Sequence, residues 1–323
     1  TTMKLMRYGA KGAEKPALVD AGGTVRDLSG VLADITAHTM KPEALKRLAE
    51  LDASKLPAVP NPGRIAPPWS GMGKFICIGL NYSDHAAETG ATPPTEPIVF
   101  LKAADTIVGP DDEVLVPRAS TRTDWEVELA IVIGTQARYL ADPSESAAHI
   151  AGYAVSNDVS EREFQLERGG QWDKGKNCET FNPIGPWLVT ADEVPDPQAL
   201  RLFLSVNGET KQDGTTADMI FDVHALVHYV SQFMVLRPGD VINTGTPAGV
   251  AEQAALAEEI TAGFGASGFQ WATDAEERNR LWKARHDGYW AALALRPGWQ
   301  KRWFPVGQAP YWSCHSQLAQ EML

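Results

Sequence analysis

Glu126 and Glu128 stand two apart in "DWEVELAIVIG", residues 124–134, a run that reads as a β-strand over 125–133. Alternate side chains of a strand share a face, so the two carboxylates point the same way. The residues that follow, Ala130 to Ile133, are apolar on both faces, which sets the pair beside buried chain. Buried like charges about 7 Å apart raise each other's pKa and cost several kcal/mol. A divalent cation removes that cost, and hard cations such as Mg²⁺ take carboxylate oxygens. Asp158, ending the apolar run in "GYAVSNDVSERE", offers a third ligand. An Asp after a strand also serves as a turn residue or helix cap, so alone it says little. Three acidic groups with positions left for water and substrate suit Mg²⁺ or Mn²⁺.

In "CIGLNYSDHAAETG", His85 and Glu88 are three apart on a short helix that Asn81, Ser83 or Asp84 could cap and Gly90 would end. A Glu that orients a His makes a general base for water, and an exposed helix with a chance pair is the plainer alternative. "DKGKNCETFNPIGPW" holds Lys176, which could stabilise a developing oxyanion, and Lys174, its exposed counterpart. Cys178 has no histidine near it in sequence and reads as a buried thiol. "VINTGTPAGV" is a strand and a Gly-rich loop whose backbone N–H groups could cradle an anion, although no GK[ST] follows. His224 and His228 have zinc spacing, but no HExxH frame surrounds them and their helix reads as core.

These residues need elements to hold them. The composition, 44% hydrophobic and 22% charged over 323 residues, is that of an ordinary globular chain with room for two domains. A net charge of −12 argues against nucleic acid or an anionic membrane, so an anionic substrate needs a local cation. Cys77, Cys178 and Cys314 form no framework, which fits a reducing, cytoplasmic setting. The opening stretch has no signal-peptide pattern, and no run of about 18 apolar residues is long enough to span a membrane. Residues 1–69 read as a small β-rich unit with the helix "KPEALKRLAELD" and a Pro-rich linker. From 70 to 250, strands are expected at 74–79, 97–101, 125–133, 151–157, 185–189, 202–207 and 240–243, and helices at 83–89, 143–149 and 219–234. This is a β-rich α+β pattern without βαβ regularity. Residues 251–323 turn helical and rich in Trp.

Taken in order, "CIGLNYSDHAAE", "PIVFLKA", "DWEVELAIVIG", "GYAVSNDVSEREFQ", "KGKNCETFNPIGPW" and "VINTGTPAGV" resemble the fumarylacetoacetate hydrolase family over roughly residues 70–250. "KNCETFNPIGPWLVT" is closer to the sugar-acid branch, the 2,4-diketo-3-deoxyfuconate hydrolase-like members, whose genes often carry the label ureidoglycolate lyase. The resemblance implies an α+β, mostly β fold: a mixed β-roll or β-sandwich with a small N-terminal domain. It implies Mg²⁺ or Mn²⁺ on Glu126, Glu128 and Asp158, a water-activating dyad His85–Glu88, and Lys176 beside the metal. Arg162 and Gln165 match positions near the substrate, and Thr246 matches the loop residue that holds its carboxylate end. One departure is visible: "KNCETF" replaces the commoner KSFDTF-like run. The implied reaction is hydrolysis of a C–C bond in a 2,4-dioxo acid from sugar-acid breakdown, by a homodimer or larger assembly. Decarboxylase, dehydratase, isomerase and ureidoglycolate lyase activities share the fold and the metal site. The likeness stops near Val250; residues 264–298 resemble the C-terminal region of FAD-linked lactate or glycolate oxidases, which reads as a chimeric or frameshifted junction that could leave the product inactive. No flavin site follows, because the oxidase's FAD-binding domain is missing.

Overall fold

The computed structural model describes residues 3–120 and 122–250. Its centre is a mixed sheet that runs, in spatial order, Val25–Asp27, Lys15–Val19, Lys4–Tyr8, Leu188–Thr190, Ile150–Asn157, Val127–Ile133, Val241–Asn243, Phe75–Gly79 and Ile98–Lys102, with Ile65–Ala66 paired to Lys4–Tyr8. The pairs are antiparallel except Val241–Asn243 on Phe75–Gly79. The first strands of the chain thus continue the same sheet through Lys4–Tyr8 and Leu188–Thr190.

The central strand Val127–Ile133 explains the architecture. Every residue of it is buried, because both faces are covered. Leu129 and Ile131 pack on one side with Ile76, Ile78, Leu226 and Val230. Ala130 and Val132 pack on the other with Leu5, Phe75, Trp69 and Val241. Each fully buried Leu or Ile contributes roughly 1.5–3 kcal/mol, so this two-sided burial fixes the strand's register. The helix Val223–Ser231 covers the first side with Val223, Leu226, Val227 and Val230, spaced i, i+3, i+4, i+7, and Asp222 caps it by accepting the Ala225 N–H at 2.7 Å.

The expected α+β, mostly β pattern holds, with local differences. The strand expected over 125–133 is interrupted: Thr123–Asp124 pairs with Ser160–Glu161, and Val127–Ile133 pairs in the main sheet. At the break the Glu126 N–H goes to the Asn157 side chain at 3.0 Å instead of a ladder carbonyl. The helix expected over 219–234 starts only at Val223, because the Asn81 side chain holds both backbone groups of Phe221. The segment 143–149 is 3₁₀ rather than α. The strand expected at 185–189 is Leu188–Thr190, since Pro186 has no N–H for a ladder. An unexpected hairpin joins Arg201–Val206 to Glu209–Thr215 through Asn207 and Gly208, both at positive φ, as an Asn-Gly turn requires. No helix of the described residues is long and apolar enough to cross a membrane. The helical reading of 251–323 lies outside the described residues.

Candidate active site

Three chain segments bring the carboxylates together. Glu126 sits at the strand break, and Glu128 is the second residue of Val127–Ile133. Asp158 follows the strand Ile150–Asn157, and its N–H donates to the Glu126 carbonyl at 2.9 Å. All three are buried, and one ligand oxygen from each lies within 4.8 Å of the others. Among the described residues this is the one acidic or His/Cys group so gathered. His224 and His228 are not part of it, and both are half-buried on the core helix.

Cations already balance most of this charge. The Lys176 ammonium donates to Glu126 Oε2 at 2.6 Å and to Asp158 Oδ2 at 3.0 Å. Lys102, fully buried, donates to Asp158 Oδ1 and to the Val159 carbonyl. Arg162 pairs with Glu126 Oε1 at 2.6 Å and with Asp124 at 2.7 Å. Burial alone would raise Glu126, yet Lys176 and Arg162 outweigh it and hold its pKa below the usual carboxylate range. Burial opposes the charged form of Lys176, but Asp158 and Glu126 raise its pKa above that of an ordinary lysine. Glu128 differs: among the described residues no Lys or Arg pairs with it, and its Oε2 accepts only the Gly245 N–H at 2.8 Å. Burial, with the charges of Asp158 and Glu126 added, drives its pKa well up. An all-carboxylate donor set with one member lacking a cation is the chemistry a hard divalent ion fits. Glu126, Glu128 and Asp158 are the residues that would hold it.

The helix Ser83–Glu88 carries the second group. Tyr82 occupies its N-cap position without a side-chain bond, so none of Asn81, Ser83 and Asp84 caps it; Asp84 instead accepts the His85 N–H at 2.7 Å. His85 Nδ1 faces Glu88 Oε2 at 3.4 Å, and Glu88 also accepts the Gly249 N–H at 3.1 Å. With its Nδ1 proton toward Glu88, the ring would present Nε2 as an acceptor.

The Gly-rich loop is less open than the sequence suggests. Its N–H groups at Gly245, Ala248 and Gly249 go to Glu128, Asp84 and Glu88, so the chain's own carboxylates fill the expected anion cradle. The Thr246 hydroxyl donates to the Val127 carbonyl at 2.9 Å and accepts from Gln212 at 2.8 Å. What Thr246 can offer a ligand is therefore its backbone N–H.

A cavity of about 370 Å³ joins these parts, and His85, Glu126, Glu128, Arg162, Gln165, Lys176 and Thr246 all line it. Asp158 lies behind the wall, bonded to Lys176, and Glu88 lies behind His85. Lys174 is exposed, as expected. Cys178 is half-buried, not the buried thiol expected, because it sits at the surface end of its turn with Sγ 3.8 Å from the Lys174 carbonyl. Sequence reasoning passed over Lys102 and Asp124. Lys102 ends the apolar run "PIVFLK" on the same strand face as Phe100, an inward lysine that strand alternation could have flagged. Asp124, two before Glu126, is pushed up to about 6 by burial, with Arg162 pulling the other way.

Comparison with known proteins agrees with the geometry. The C-terminal family pattern of fumarylacetoacetate (FAA) hydrolase matches residues 74–274, so the likeness extends past Val250. The oxidase-like reading of 264–298 lies outside the described residues, and the comparisons lend it no support. A Burkholderia ambifaria protein whose name assigns it provisionally to the hydrolases is 54% identical over 248 residues, 77% of this chain and 88% of its own. The solved fumarylacetoacetate hydrolase of psychrophilic Exiguobacterium antarcticum is 34% identical with a TM-score of 0.68, covering 78% of this chain and 89% of that one. The 5-carboxymethyl-2-hydroxymuconate delta-isomerase of Mycobacterium smegmatis is 32% identical with a TM-score of 0.61, over 77% and 89%. A pattern match across most of the chain, relatives above half identity and a shared fold lead to one assignment: this chain belongs to the fumarylacetoacetate hydrolase family.

Proposed function

We propose that the protein is a divalent-metal-dependent hydrolase that cleaves a C–C bond in a 2,4-dioxo acid. The observation that carries this reading is one cavity lined by His85, Glu126, Glu128 and Lys176, with Glu88 behind the histidine and Asp158 behind the lysine that bridges it to Glu126. Mg²⁺ or Mn²⁺ on Glu126, Glu128 and Asp158 would supply Lewis acidity at the 2-oxo-carboxylate end of the substrate.

The chain's own groups do the rest. His85, turned by Glu88, takes a proton from a water that adds to the 4-carbonyl. The bond between C3 and C4 breaks, the acyl part leaves as a carboxylic acid, and the electron pair stays with the 2-oxo acid as its enolate. Lys176 has three N–H donors, two of them on Glu126 and Asp158, and the third can meet the enolate oxygen. Protonation at C3 completes the 2-oxo acid. Arg162, tied to Asp124, Glu126 and Gln165, holds the wall of the site rigid. The Thr246 N–H serves the substrate's carboxylate.

An isomerase is the second reading, because solved relatives that cover most of this chain are named as isomerases. The two separate in one assay. Chelator-stripped protein is given a panel of acylpyruvates with and without Mg²⁺. Metal-dependent release of pyruvate and a carboxylic acid supports the hydrolase, and conversion to a product of unchanged mass supports the isomerase. Turnover that ignores the metal would refute both. A homodimer or larger assembly in the cytoplasm is the setting proposed with this reaction, to be checked by light scattering and by fractionation.

A further inference from the structure

One wall of the cavity is aromatic, and the segment that delivers Lys176 builds it. Trp172 precedes the short helix Asp173–Lys176 and stands four residues before Lys176, so both side chains lie on one side of the turn. The indole meets Phe100 edge-on, with ring centroids 5.7 Å apart, and the Lys176 ammonium lies 5.2 Å from the Phe100 centroid. The seat is built for that ring: a Cβ on Gly79 would stand 2.2 Å from Trp172 Cζ3 and 2.8 Å from Cη2. Both aromatics line the cavity and are only half-buried, so each keeps ring surface open toward it.

Two hydroxyls and a guanidinium in the lining are committed to the protein. The Thr246 hydroxyl gives its proton to Val127, and the Thr89 hydroxyl gives its own to the His85 carbonyl. Arg162 is spread over Asp124, Glu126 and Gln165. A polyhydroxylated chain gets no proton from either hydroxyl and would have to rely on Gln165 and the exposed Arg122, and each buried hydroxyl left unpaired weakens binding on the order of tenfold. A flat apolar group would stack on the open rings and leave nothing unpaired.

Resting on the dioxo-acid reading above, we infer that the acyl end of the substrate is flat and apolar, an aryl or short unsaturated group, seated by Phe100 and Trp172 rather than a sugar chain. The test compares kcat/KM of the Mg²⁺-loaded protein on three acids: an aroylpyruvate, acetylpyruvate, and a 2,4-dioxo acid hydroxylated along its tail. The aroylpyruvate should lead both others by about tenfold. Trp172→Ala should erase that lead, chiefly through KM, and Trp172→Phe should keep most of it. Gly79→Ala, whose methyl collides with the indole, should act like Trp172→Ala. A lead for the hydroxylated acid, equal values, or a preference that survives Trp172→Ala overturns the inference while the hydrolase reading stands. If none of the three is cleaved, the hydrolase reading fails on its own. Calorimetric titration of the Mg²⁺-loaded protein with the same acids then decides the pocket: tighter aroyl binding supports the inference, and equal or tighter binding of the hydroxylated acid ends it.

Discussion

Replacing Glu128 with Gln should change stability in opposite directions with and without metal. In the metal-free protein Glu128 is a buried carboxylate bonded to the Gly245 N–H, paired with no Lys or Arg among the described residues, and beside two further carboxylates that outweigh the pull of Lys176. Its folded pKa is raised above the ordinary 4.5, so the folded state holds a proton that the unfolded chain releases. Below about pH 4.5 both states are protonated and Glu128 costs nothing. As pH rises toward the folded pKa, stability falls by up to about 1.4 kcal/mol per pH unit. Gln keeps the acceptor for Gly245 and removes the ionisation. In chelator near neutral pH, Glu128→Gln should therefore gain on the order of 2 kcal/mol, a rise of roughly 3 °C in Tm for a chain this size.

With metal the sign reverses. A cation held at about 100 times its Kd adds roughly 2.7 kcal/mol to the wild type. The variant, short one carboxylate ligand, should gain little. The assay is thermal unfolding from about pH 4 to pH 8, in chelator and in Mg²⁺ or Mn²⁺, read as the difference between variant and wild type so that shared titrations cancel. A variant that melts below wild type in chelator, a difference independent of pH, or equal stabilisation of both by metal would refute the reasoning.

Three further outcomes are expected. His85→Ala should lower kcat by about a hundredfold or more, with metal affinity by calorimetry unchanged, since the proposed base acts on water and is not one of the three proposed ligands. Glu126→Gln should abolish Mg²⁺ and Mn²⁺ binding in the same titration, and unchanged affinity would remove Glu126 from the ligand set. Lys102→Met leaves Asp158 Oδ1 without its cation in a fully buried position; denaturant unfolding in chelator should show a loss of about 3–5 kcal/mol, partly restored by metal.

The acidic triad was legible because its signal is local. Two glutamates at period two, running into an apolar stretch, need no distant partner to look costly. The helix 83–88 and its His–Glu spacing were legible for the same reason. What escaped was set by contacts remote in sequence. The strand break at Glu126 depends on an Asn157 side chain from the next strand. The helix after Asp222 loses its expected first turn because Asn81, 140 residues away, captures Phe221. Glu209–Thr215 is polar throughout and becomes a strand by pairing with Arg201–Val206, although its Asn-Gly turn was readable. The loop after Asn243 looks like an open anion cradle until Glu128, Asp84 and Glu88 are seen occupying it. Lys102 was overlooked since a lysine that ends a strand usually faces water.

The charge arrangement fits an acidic protein to the acidic substrate proposed for it. Glu126, Asp158 and Asp124 meet Lys102, Lys176 and Arg162, and Glu128 keeps its proton in the metal-free fold, so the buried cluster carries no net charge. That balance lets the segments fold together before any ion arrives, because among the described residues of the cluster Glu128 alone has no paired cation and it is neutral. In this state the cluster offers a carboxylate no net attraction. A divalent ion that displaces the Glu128 proton would turn the net charge from zero to +1, and the proposed substrate's carboxylate would bring it back to zero. Each step lowers the electrostatic cost of the one before it, and in a low-dielectric site such terms exceed their values in water. The order of assembly follows from the signs: cation first, anion second. Lys102 and Arg162 then matter less as contacts to substrate than as fixed positive charges, which keep the triad from demanding two ions where the proposed reaction uses one.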